Sequence, residues 1–86
     1  MGGMIITITK PGHVVRNMIY VQVRVNGHLY DIGTNSAAER WSTLHSHGPT
    51  VPGQEQDAKE AAIAWAASHP DDMKRLREEA VRSEAD

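Results

Sequence analysis

Five histidines, eleven carboxylates and no cysteine are the material for chemistry in this 86-residue chain, and its most closely spaced candidate ligands are His45 and His47. Two imidazoles one residue apart point the same way on an extended backbone and can share a metal ion, but a working site needs a third and usually a fourth ligand. His13, His28 and His69 stand at no recognisable ligand spacing from that pair. With no thiolate, a Cys-based zinc site and a disulfide framework are both excluded. No metal or cofactor is therefore expected, and His45 and His47 stand only as minority metal candidates. The favoured reading ends a helix at His45, where the negative end of the helix dipole suits an imidazole, and leaves His47 in a loop.

Covalent and acid–base chemistry find no better footing. Ser36, Ser42, Ser46 and Ser68 lie in no nucleophile elbow, and "GTNS" at 33–36 is a lone glycine without the repeated glycines of a phosphate loop. Asp71-Asp72 and Glu78-Glu79 are neighbours in sequence, hence about 100° apart on a helix, and do not converge on one point. They suit a solvated surface and a helix N-terminus. No catalytic residue is nominated, and the chain is read as a non-enzyme.

The elements that would position any site follow from periodicity. "MIYVQVRV", 18–25, alternates, with Ile19, Val21, Val23 and Val25 on one side and Met18, Tyr20, Gln22 and Arg24 on the other. Asn26-Gly27 is the signal for a two-residue hairpin turn, because both positions need positive φ. That turn pairs Val25 with His28, Val23 with Tyr30 and Val21 with Ile32, so a strand over "HLYDI" shares its apolar side with the first. An earlier strand is expected over Met4–Thr9, with Met4, Ile6 and Ile8 inward, followed by a type II turn at "KPGH" and a connection of about eight residues. The opposite face carries Ile5, Thr7, Thr9, Tyr20, Gln22, Arg24, Leu29 and Asp31. Of these, Tyr20, Gln22, Arg24, Leu29 and Asp31 are the candidate binding residues.

After Gly33 the period lengthens. "SAAE" at 36–39 reads as a capping box, and Ala37, Trp41 and Leu44 at i, i+4 and i+7 predict a short helix ending near His45. Gly48, Pro49, Pro52 and Gly53 stop it. A second helix starts near Gln54 with Ala58, Ala61, Ala62, Trp65 and Ala66 as its inward stripe. Pro70 opens a third, with Met73, Leu76 and Ala80 inward and Lys74-Glu78, Arg75-Glu79 and Glu78-Arg82 as i, i+4 pairs. Both tryptophans are expected to pack on the apolar side of the sheet. The predicted fold is α+β: a three-stranded antiparallel β-meander followed by two or three α-helices on one face, in the order β-β-β-α-α-α. Residues 1–3 read as an added leader, and residues 4–86 as one domain with a meander over 4–33 and a helical part over 34–86.

Composition narrows the function. No apolar run approaches the ~18 residues of a membrane span, and no basic, apolar signal sequence is present, so the expected location is the cytoplasm and no membrane is expected as a partner. Residues 1–33 carry Lys10, Arg16 and Arg24 against Asp31, while 34–86 carry six bases against ten acids. In size, acidity and element order the chain resembles small phage-encoded inhibitors, anti-CRISPR proteins among them, which combine a short antiparallel sheet with one or two helices. That resemblance implies a non-enzymatic protein-interaction module, an inhibitor that binds a host defence protein or protein complex. It covers the whole chain in format and carries over no site residue. A homodimer is compatible with the same surfaces.

The alternative is nucleic-acid binding. In outline the meander is also similar to plant AP2-type domains and phage integrase N-terminal domains, which lay a sheet in the major groove; Lys10, Arg16, Gln22 and Arg24 would then make the contacts. The sparse bases and the net charge of −2 favour the protein partner, because phosphate neutralisation supplies most non-specific affinity for nucleic acid.

Overall fold

The computed structural model describes residues 5–48 and 51–85, so Met4, expected to point inward, and residues 1–3, expected as an added leader, lie outside the described residues. Four strands, β1 (Ile6–Val15), β2 (Met18–Val25), β3 (His28–Thr34) and β4 (Trp41–His47), precede two helices, α1 (Gln54–Ser68) and α2 (Pro70–Ala85). The strands pair in the order β1-β2-β3-β4, every neighbour antiparallel. The result is α+β with both helices packed on the sheet, and the meander has four strands where three are expected.

The β2–β3 hairpin has the expected register, Val25 with His28, Val23 with Tyr30 and Val21 with Ile32. Its turn works as the sequence implies: Asn26 and Gly27 adopt φ of 49° and 87°. Asn26 also ties the first described residue down, since its Oδ1 accepts from the Ile5 amide at 2.9 Å and its own amide donates to the Ile5 carbonyl at 2.9 Å. The inward row Ile19, Val21, Val23, Val25, Tyr30 and Ile32 is fully buried.

β1 corrects one expectation. The chain does not turn at "KPGH" but runs on as a single strand to Val15, with register shifts between Ile8 and Lys10 and between Lys10 and His13. The turn is instead the two residues Arg16-Asn17, with Arg16 at φ 61°. A proline is tolerated here because β1 is an edge strand and Pro11 sits in a bulge. Gly12 is present for a different reason from turn geometry: a Cβ there would lie 2.5 Å from Leu76 Cδ1 and 2.7 Å from the Trp65 ring.

β4 corrects the larger one. The residues read as a capped helix around Trp41 form an edge strand pairing Thr34 with Trp41, Ile32 with Thr43, Asp31 with His45 and Leu29 with His47. No helix forms because 35–40 is taken up by a turn. The Ala38 amide donates to the Asn35 carbonyl at 2.9 Å, Asn35 Oδ1 accepts from the Glu39 amide at 3.0 Å, and Ala38 takes φ 58°. Buried Thr34 fixes the far side of that turn by donating to the Arg40 carbonyl at 2.6 Å. The aromatic and β-branched Trp41 and Thr43 then continue the inward row, and the free edge of β3 gains a partner, which outweighs the weak helical spacing of Ala37, Trp41 and Leu44. The sheet thus extends to His47, and the helical part begins at Gln54 rather than near residue 34.

Of the two or three helices expected, the two that begin at Gln54 and Pro70 form. In α1 the fully buried Ala58 and Ala62 let the backbone lie close on Val21, Val23, Val25, Tyr30 and Ile32. Gln54 fixes its start: buried Tyr30 Oη donates to Gln54 Oε1 at 2.7 Å. His69 breaks the chain between the helices, its ring stacked on Trp65 at 4.6 Å and its Nδ1 2.8 Å from the Trp65 carbonyl, and Pro70 opens α2. Met73, Leu76 and Ala80 pack with Ile19 into a second cluster, and Trp41 and Trp65 touch both clusters. Among the described residues no helix is long and apolar enough to cross a membrane.

Candidate functional site

Because both helices pack on the side of the sheet that carries Val21 and Ile32, no element among the described residues covers the opposite face. Strand alternation puts all five candidate residues there: Tyr20, Gln22 and Arg24 from β2, Leu29 and Asp31 from β3. Arg24 is exposed and the other four are half-buried among their neighbours. Their cross-strand partners complete the surface. Gln22 faces Asp31, Arg24 faces Leu29, and from β1 Thr7 lies beside Arg24, Lys10 beside Gln22 and His13 beside Tyr20.

A chain of polar contacts crosses all four strands. Thr9 Oγ1 donates to Gln22 Oε1 at 2.8 Å, Gln22 Nε2 donates to Asp31 Oδ1 at 3.1 Å, and Asp31 Oδ2 is 3.2 Å from His47 Nε2. The edge of the His47 ring meets His45 at 4.7 Å between centroids. The Gln22 amide is thereby held by its oxygen and its nitrogen, and the Asp31 carboxylate by both oxygens, so neither rotates freely. Apolar groups flank this line. At one end His13 stacks on Tyr20 at 5.6 Å. At the other, Leu44 lies over Gly33, where a Cβ would collide with Leu44 Cδ1 and come within 3.4 Å of Met18 Cε.

His45 and His47 therefore occupy a strand on the open face, not a helix end and a loop. Asp31 stands beside them, yet among the described residues no three His, Asp or Glu side chains are disposed to hold a metal ion. Lys10, expected on the sheet only as a nucleic-acid contact, belongs to the face, and so do His13, Leu44, His45 and His47, which a strand ending at Thr9 and a helical period over 37–45 do not place there. The alternation of Trp41 and Thr43 with Ser42 and Leu44 was the available signal for β4. Charge on the face is slight and positive, Lys10 and Arg24 against Asp31, whereas α1 and α2 carry eight acids against five bases. No protein-family model, no curated protein and no solved structure matches this chain.

Proposed function

We propose that the chain is a non-enzymatic protein-interaction module that docks another protein or protein complex on the open face of its sheet. The observation that carries this reading is the pre-ordered line Thr9–Gln22–Asp31–His47 running beside a row of aromatic and apolar groups, His13, Tyr20 and Leu44. Side chains already fixed by mutual hydrogen bonds lose little conformational entropy on binding, and polar groups amid apolar ones supply specificity without a dense charge patch. In this reading the module works in the cytoplasm as an inhibitor that occupies the surface of a larger assembly, the mode of the phage-encoded inhibitors whose format it shares. A host defence complex is the first partner to test.

Nucleic acid is the second reading, favoured by Lys10, Gln22 and Arg24 sharing one face. Two cations offset by Asp31 neutralise few phosphates, so affinity would be low and steeply salt-dependent. The test is capture by the immobilised chain from host lysate, run beside Leu29→Glu, Tyr20→Ala and the helix-face control Lys59→Gln. One stoichiometric protein retained by wild type and control, and lost with both face variants, supports the proposal. Retention by the face variants would overturn it. Retardation of duplex DNA that disappears with rising salt and with Arg24→Glu would favour the second reading.

A further inference from the structure

The charges of α2 are not spread evenly around it. Its inward ridge of Met73, Leu76 and Ala80 divides the exposed surface into two flanks. On one, Arg75 has two carboxylates beside it, Asp72 at 3.6 Å and Glu79 at 4.0 Å. On the other stand Lys74, Arg77 and Arg82, and none of these has a carboxylate within 4.0 Å among the described residues. Glu78 lies on this flank too, but the i, i+4 pairs anticipated for it with Lys74 and Arg82 do not form. The cleft that this side lines therefore holds three cations against one acid, on a chain whose net charge is −2.

That flank faces the β3–β4 connection across an open cleft of about 730 Å³, with Ser36 and Ala37 on the far wall and Val81 between the cations. A volume in the range of ~300–1,000 Å³ suits a small organic ligand. Val81 is 53% exposed, and the methylene stems of the three cations extend its apolar surface. Arg77 also borders a second, apolar trough of about 350 Å³ that includes Trp41, Ile63 and Met73 and adjoins the first through Ala37 and Ala38. Ile63 is 42% exposed there. Cations with no carboxylate partner among the described residues, beside the apolar linings of two clefts that share Arg77, match a molecule with an anionic head and an apolar body.

We propose that this cleft is a binding site for an amphiphilic organic anion, its carboxylate or phosphate held by Lys74, Arg77 and Arg82 and its apolar part lying along Val81 toward Ile63. The site is on the opposite layer from the open sheet face and does not depend on the docking reading.

The test is a nuclear magnetic resonance titration of the full ¹⁵N-labelled chain with decanoate, with decanol as the uncharged control. Decanoate should shift Ser36, Ala37 and the amides of 74–82 saturably, and decanol should bind at least about tenfold more weakly, as expected for loss of a charge-assisted hydrogen bond. Lys74→Gln with Arg77→Gln, both exposed and so tolerated by the fold, should weaken decanoate to a similar degree. Val81→Ser provides an independent check on the apolar part. Flotation with phosphatidic-acid vesicles that is lost in the double variant would assign the anionic head to a lipid; decanoate binding without flotation would assign it to a free amphiphile. Equal binding of decanol, shifts spread over Lys59, Arg75 and Arg24, or silence with both decanoate and vesicles would overturn the proposal.

Discussion

Gly12→Ala adds one methyl group at the point where β1 crosses α2, and its effect can be worked from the surroundings. The new Cβ would lie 2.5 Å from Leu76 Cδ1 and 2.7 and 2.8 Å from two atoms of the Trp65 ring. Carbon atoms prefer about 3.5–4.0 Å, so roughly 1 Å must be found on both sides at once. Leu76 is 1% exposed and Trp65 is stacked on His69, so neither can swing aside without loss. Overpacking of this kind costs about 1–3 kcal/mol, against which alanine recovers up to about 1 kcal/mol of backbone entropy. A net loss of about 1–2 kcal/mol would lower Tm by about 4–16 °C in a domain this size. Urea unfolding followed by tryptophan fluorescence measures it, and a cycle with Leu76→Ala tests the cause. Leu76→Ala alone costs about 2–5 kcal/mol, but in the double variant the methyl enters the space vacated, so the two losses should fall short of additivity by about 1 kcal/mol. An additive cycle, or a Gly12→Ala variant as stable as wild type, would refute the close-approach account. A turn requiring positive φ would give additivity, and Gly12 is not among the glycines with positive φ.

Tyr30→Phe leaves the Gln54 carbonyl buried without its donor and should cost about 1–3 kcal/mol in urea unfolding, most of it recovered by adding Gln54→Leu. At Gly27, where φ is 87° and nothing lies within 4 Å of an added Cβ, alanine should cost about 1 kcal/mol from backbone conformation alone, with no pairing partner that rescues it. Leu29→Glu should abolish partner capture while changing Tm by only a few degrees, since the site is half-buried on the uncovered face; a large Tm loss would show that Leu29 serves stability instead. Ala62→Leu, by contrast, forces three extra carbons between α1 and the sheet and should destabilise by about 1–3 kcal/mol, seen as the largest loss of amide protection in β2 and β3.

The parts of the fold that could be read from sequence are those where local and global preferences agree. The β2–β3 hairpin is one, because Asn26-Gly27 fixes both turn and register before any tertiary contact is made. The stripe Ala58, Ala61, Ala62, Trp65 and Ala66 is another, every member of which packs against the core. The misread segments share a different cause. In β1 the turn residues Pro11 and Gly12 are used for an edge bulge and for room beside Trp65 and Leu76, demands that come from distant residues. In β4 the helical spacing of Ala37, Trp41 and Leu44 competes with the unmet hydrogen bonds of β3, and pairing with the sheet prevails. The candidate face was half legible for the same reason: its β2 and β3 residues came with the hairpin, and its β4 residues only with the fourth strand.

The bulges also bear on self-assembly. A meander with two outer strands presents two rows of backbone groups, each able to recruit a further strand from another molecule. Along β1 the row is interrupted by two register shifts and by Pro11, which has no N–H to offer. Along β4 it is interrupted between His45 and Thr43, where Leu44 is the extra residue. Both outer strands are thus poor templates for edge-to-edge growth, so a chain that leaves one face of its sheet open is still guarded against self-association along the edges of that sheet.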